Sequence, residues 1–165
     1  MRKLIPSLII CLLALVSTAT GQILSTANQP SQVYPGGGIP EGPSVYGVFA
    51  GRTPCQEFIK ELDLPHNAAC AKRKMSITLH QDPVTHQPTT YETHGMGKWS
   101  GKGNWLILRG TPTDPEATIF KLELDAHTSL FLLKGDENVL FILDRNRNFL
   151  VGNAQFSYTM NRARN

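Results

Sequence analysis

From Val45 onward, apolar and polar side chains alternate with a period of two, in short runs separated by turn residues. That is the pattern of half-buried β-strands. It predicts strands near Val45 to Gly51, Arg73 to His80, Thr89 to Trp99, Asn104 to Arg109, Thr118 to Asp125, Ser129 to Lys134, Asn138 to Asp144 and Phe156 to Asn161. In the second run Met75, Ile77 and Leu79 share one face and Ser76, Thr78 and His80 the other. Phe120, Leu122 and Leu124 likewise oppose Lys121, Glu123 and Asp125, so register is well specified. Ser100-Gly101-Lys102-Gly103, Gly135-Asp136 and Arg145-Asn146-Arg147-Asn148 read as short connections between antiparallel neighbours.

One segment has a helical period instead. Between Cys55 and Leu64, behind the turn Thr53-Pro54, Phe58, Ile59 and Leu62 fall on one face, and Leu64-Pro65-His66-Asn67 ends the helix. About eight strands cannot form an open sheet with one wet apolar face, so the expected fold is all-β: a small antiparallel barrel with one short helix near its start. Leu130-Phe131-Leu132-Leu133 and Val139-Leu140-Phe141-Ile142-Leu143 are apolar on both faces, so the outside of this hairpin needs cover or offers a partner surface.

Ahead of the strands the pattern disappears. Residues 22 to 44 mix Gln, Ser, Thr and Asn with Pro30, Pro35, Pro40, Pro43 and Gly36-Gly37-Gly38, a spacer that cannot bury enough surface to offset its ordering entropy. Before it, Met1-Arg2-Lys3, the apolar run Leu4 to Val16 and the small residues Ser17 to Gly21 have the layout of a cleavable signal peptide, with cleavage after Gly21. The run is shorter than the roughly 20 apolar residues of a membrane-spanning helix. Cys11 is not read as a lipid-bearing cysteine, because a bulky Ile10 precedes it where a small residue is wanted. The barrel domain is therefore placed at 45 to 162, exported to the periplasm or beyond.

Charge adds little. The chain carries +3, and loss of Arg2 and Lys3 with no acid leaves +1 on the mature form. Its Lys and Arg residues are scattered apart from Lys72-Arg73-Lys74 and the tail Arg162 and Arg164, so no nucleic-acid face is expected. Cys55 and Cys70 remain after cleavage, and in an oxidising compartment the default is a disulfide. Closing a loop of about 15 residues stabilises by roughly 3 kcal/mol in the chain-entropy treatment. The alternative, two thiolates of a metal site, has a spacing that matches no short ligand pair.

Val48-Phe49-Ala50-Gly51-Arg52-Thr53-Pro54-Cys55, Met75-Ser76-Ile77-Thr78-Leu79, and Gly97-Lys98-Trp99 followed by Trp105-Leu106-Ile107-Leu108 carry a resemblance. They look like the N-terminal domain of the NlpE family, envelope lipoproteins of Gram-negative bacteria linked to copper tolerance and surface-stress signalling. Phe131 to Asn138, Phe149 to Asn153 and Phe156 to Tyr158 are similar to relatives of that domain, so the likeness spans most of residues 45 to 162. It implies a lipocalin-like barrel, an envelope location and a copper or stress-related role. The family's Cys-x-x-Cys pair is broken, because Cys55 is followed three positions later by Phe58, and neither the lipid anchor nor the second domain of the family is expected.

Copper(I) favours thioether, thiolate and imidazole donors. His94 and Met96, two apart on one expected strand, with His80 and His86 near the loop leading into it, are the candidate metal set; polar surface decoration is the competing reading. No nucleophile and base, paired carboxylates or phosphate-cradling glycine loop has diagnostic context, so the chain is read as a non-enzyme. Tyr91, Trp105, Phe120, Phe141 and Phe156 are candidates to line a site for a small lipophilic ligand, or simply to fill the barrel. The expected function is an extracytoplasmic, monomeric binding or envelope-sensing module whose partner is an envelope protein or small ligand; a lipophile carrier and a protein-interaction or inhibitor module are the alternatives.

Overall fold

The computed structural model describes residues 38–164. The expected signal peptide, Cys11 and most of the spacer lie outside the described residues. Eight strands form one closed antiparallel barrel in simple chain order: β1 (Val45–Pro54), β2 (Lys72–Gln81), β3 (Pro88–His94), β4 (Gly101–Arg109), β5 (Thr118–Glu123), β6 (Ser129–Lys134), β7 (Val139–Leu143) and β8 (Thr159–Arg162). Each strand pairs with the next, and β8 returns to β1 through Phe49↔Arg162 and Gly51↔Met160. The all-β barrel expected from the alternation is the fold observed, with α1 (Cys55–Glu61) between β1 and β2.

Register fixes which side chains enter the barrel. Phe49 opposes Ile77, Leu79 opposes Tyr91, Trp105 opposes Leu122, Phe120 opposes Leu132, and Leu132 opposes Ile142. All of these are at most 3 % exposed and belong to one apolar cluster. Val48, Ser76 and Thr78 have the opposite, outward register and are buried as well. The doubly apolar hairpin resolves in the same way. Outward-facing Phe131, Leu133 and Leu143 join Ala117, Ile119 and Leu108 in a second cluster, and Phe149, from the segment between β7 and β8, meets Phe141 edge-on at 5.8 Å.

Several expected elements change length: β1 runs on to Pro54, β4 begins at Gly101 inside the expected turn, and β8 begins at Thr159 instead of Phe156. The strand expected to run from Thr89 to Trp99 ends at His94, because Gly95 takes φ +77° and a single 3-10 turn follows over Gly97–Trp99. A Cβ at Gly95 would collide with the Lys74 carbonyl, so glycine is needed where the chain turns under β2. The helix stops at Glu61 rather than Leu64. The chain reverses there through Asp63 at φ +48°, and Leu64 N–H bonds back to the Ile59 carbonyl.

Candidate functional site

One end of the barrel is shut by the helix. Cys55, Phe58 and Ile59 of α1, with Leu62 and Leu64 behind it, are buried against the core. Glu57 in the first turn and Lys60 in the last agree with the helix dipole. Cys55 and Cys70 form the expected disulfide, tying the helix to the approach to β2. Trp99 Nε1 donates to the Leu62 carbonyl at 2.8 Å, and Arg145 donates its backbone N–H to Glu61 Oε2 at 3.0 Å. A crevice at the edge of this lid, between Phe58, Leu62, Leu130, Ile142 and Leu150, measures ≈ 10 Å³. That is about the minimum for a single water.

The other end is shut by a cation. Arg162 pairs with inward-facing Phe49, so its guanidinium enters the barrel, 4.7 Å from the Phe49 ring centroid and 5.5 Å from that of Tyr46. It donates Nε to the Glu137 carbonyl at 2.6 Å and Nη1 to the Tyr46 carbonyl at 2.8 Å. Lys134 also has inward register, and its ammonium bonds the Glu137 carboxylate. That bond, reinforced by the Tyr46 hydroxyl, outweighs burial and holds the Lys134 ammonium above its ordinary range. Below the two cations Tyr46, Trp105 and Phe120 pack ring against ring, with centroids 5.0 to 5.6 Å apart.

The five aromatic candidates therefore divide. Tyr91, Trp105 and Phe120 are interior and engaged: Tyr91 donates to the Glu123 carbonyl at 2.8 Å and Trp105 to the His80 carbonyl at 2.6 Å. Burial, with the Glu123 carboxylate second, raises the Tyr91 phenol above its ordinary value. Phe141 faces outward, and Phe156 lies partly exposed beneath the Lys72 ammonium. The placement of Phe141 follows from period-two geometry once Leu140 and Ile142 are inward.

The four metal candidates are not brought together. His94 faces outward, its Nε2 3.6 Å from Glu92 Oε1, whereas Met96 is completely buried in the core. The two-apart rule does not apply to them, because the strand ends between them at Gly95. His80 and His86 lie toward the opposite end of the β2–β3 pair, where His86 Nδ1 meets Gln81 Nε2 at 3.2 Å. Among the described residues no group of three or more His, Cys, Asp or Glu is arranged to hold a metal ion. Ser76 lies across from His94, but its Oγ has no hydrogen-bond partner among the described residues, so no Ser–His relay forms.

Outside the barrel, beside the lid, a groove of ≈ 580 Å³ runs between Glu61, Asp63 and Arg145 on one side and the β5–β6 hairpin on the other, with Phe131 in its wall. Two of its four carboxylates are paired with cations inside it, while Asp63 reaches Lys98 outside the groove at 3.9 Å. Glu61 meets Arg145 at 3.4 Å and Glu123 meets Lys121 at 3.1 Å. Asp125 accepts the N–H groups of His127 and Thr128, and the His127 bond leads in holding that carboxyl below its usual range. The sequence pattern did not flag this groove, because its walls come from distant segments that each look like ordinary turns.

Fold and site together define a closed eight-stranded barrel with a filled interior, lidded by a helix and corked by an arginine. Comparison with known proteins finds no matching family model, no matching curated protein and no matching solved structure.

Proposed function

We propose that this chain is a non-catalytic, extracytoplasmic binding or envelope-sensing module of NlpE-like type, working through its outer surface rather than an internal chamber. The observation that carries the reading is the packing of Tyr91, Trp105 and Phe120 between the α1 lid and the Arg162 cork. Small barrels of eight strands have interiors just wide enough for side chains to fill, and a lipophile would have to displace those rings. Export rests on the signal-peptide layout of residues 1 to 21. Copper is left out of the proposal, since soft donors are needed and Met96 is sealed away from the histidines.

Native mass spectrometry of protein purified from the extracytoplasmic fraction, followed by solvent extraction, tests this reading. The expected mass is that of the disulfide-bonded polypeptide alone, and the extract is free of lipid. A stoichiometric co-purifying lipophile, or a full-length cytoplasmic chain retaining residues 1 to 21, overturns it.

A further inference from the structure

Four large apolar side chains stand exposed among the described residues, and two of them, Phe149 (58 %) and Val151 (85 %), lie on the segment joining β7 to β8. Singly exposed apolar residues are ordinary. This pair is different because the segment that presents it is anchored. Leu150, between them, packs against the core, and Phe149 bridges to Leu143. On the far side Asn153 Oδ1 accepts the N–H groups of Gln155 and Phe156, both at 2.9 Å. The tip is thus a fixed apolar projection.

The charges nearest it are mostly basic, the exception being Asp144 at the head of the turn, whose carboxylate accepts the N–H groups of Asn146 and Asn148. Residues 145 to 158 include Arg145 and Arg147 and no Asp or Glu. Arg145 is matched by Glu61, but Arg147 spends its Nη1 on the carbonyls of Arg109 and Gly110, which leave its charge uncompensated. Lys72 stands 5.6 Å over the Phe156 ring. We propose that this loop is a membrane-contact element, Phe149 and Val151 entering the interfacial layer of a bilayer while Lys72 and Arg147 face anionic lipid head groups. A bilayer suits a convex tip, since it needs no complementary shape. A stable protein interface takes about 800 Å² from each partner, more than so short a projection offers. The inference adds to the proposed function without depending on it, because lipid extraction and vesicle binding succeed or fail separately.

Co-sedimentation of the exported protein with phosphatidylglycerol vesicles, and with phosphatidylcholine vesicles as the neutral comparison, tests it. The expected result is weak, reversible binding to the anionic vesicles that falls as salt rises and drops at least ~10-fold in Val151→Ser and again in Phe149→Ser. Val151→Ser removes an almost fully exposed side chain, so its fold is expected to be intact, checked by circular dichroism. No binding to either vesicle, binding indifferent to both substitutions, or a protein partner captured by the loop without vesicle binding overturns the proposal.

Discussion

Gly47 and Arg162 occupy one another's space inside the barrel: a Cβ added at position 47 would fall where the Arg162 guanidinium now lies. The glycine is what admits a cation at an inward position, and the cation in turn stitches the Tyr46 carbonyl of β1 and the Glu137 carbonyl of the β6–β7 turn to β8.

Gly47→Ala is therefore expected to cost about 2–4 kcal/mol, from overpacking together with displaced charge-assisted hydrogen bonds. Arg162→Lys is expected to destabilise too, because an ammonium cannot reproduce the planar fork between two carbonyls and two rings. Urea unfolding of both variants measures this, and a change under 0.5 kcal/mol in either would contradict the cork.

Removing the disulfide with Cys55→Ser and Cys70→Ser should lower stability by roughly 3 kcal/mol for a 15-residue separation. The β-type circular dichroism should persist, since the bond ties the lid and not the strand ladder. Loss of all β signal at low temperature would show that the barrel depends on its lid.

Trp99→Phe tests the lid from its other side. It leaves the Leu62 carbonyl without its indole donor and is expected to cost about 1–2 kcal/mol. Hydrogen exchange should quicken over residues 55 to 64 while the amides of β5 to β7 stay protected; equal acceleration everywhere would mean that lid and barrel open as one.

Acid and alkali should act on different parts. Asp82 is held below its ordinary range by the N–H groups of Thr85 and Val84. Asp144 is too, since its bonds from Asn148 and Asn146 outweigh the opposing effect of burial. Folded values that are lowered contribute stability present above the unfolded value of about 3.9 and lost as pH falls through the folded one. Tyr91 and Tyr158 are raised by burial first, so their contribution is complete below about pH 10 and disappears as pH climbs through their folded values. Ultraviolet tyrosinate titration should show these two phenols ionising late, together with alkaline unfolding; early ionisation of both in the folded state would refute the assignment.

Much of this architecture was legible in the alternation of Met75, Ile77 and Leu79 and of Phe120 and Leu122, where polar partners mark the face. The helix was legible in Phe58, Ile59 and Leu62, though not that it would close one end of the barrel. Legibility ended where a single backbone angle decides direction, as at Gly95, which sends Met96 inward and separates it from His94. It ended also at Lys134 and Arg162, since a charged residue near a strand end reads as solvated, and only the closed register shows both turned inside. Phe156 looked like part of a strand, but β8 begins three residues later, after the segment that carries Phe149 and Val151.

Closure joins nearly the first strand residues to nearly the last, Phe49 to Arg162, across more than a hundred positions of chain. No nascent chain can complete the ring until Thr159 to Arg162 are free, so the polypeptide stays threadable until that strand has emerged. Trimming those residues leaves two raw strand edges where the native molecule has none.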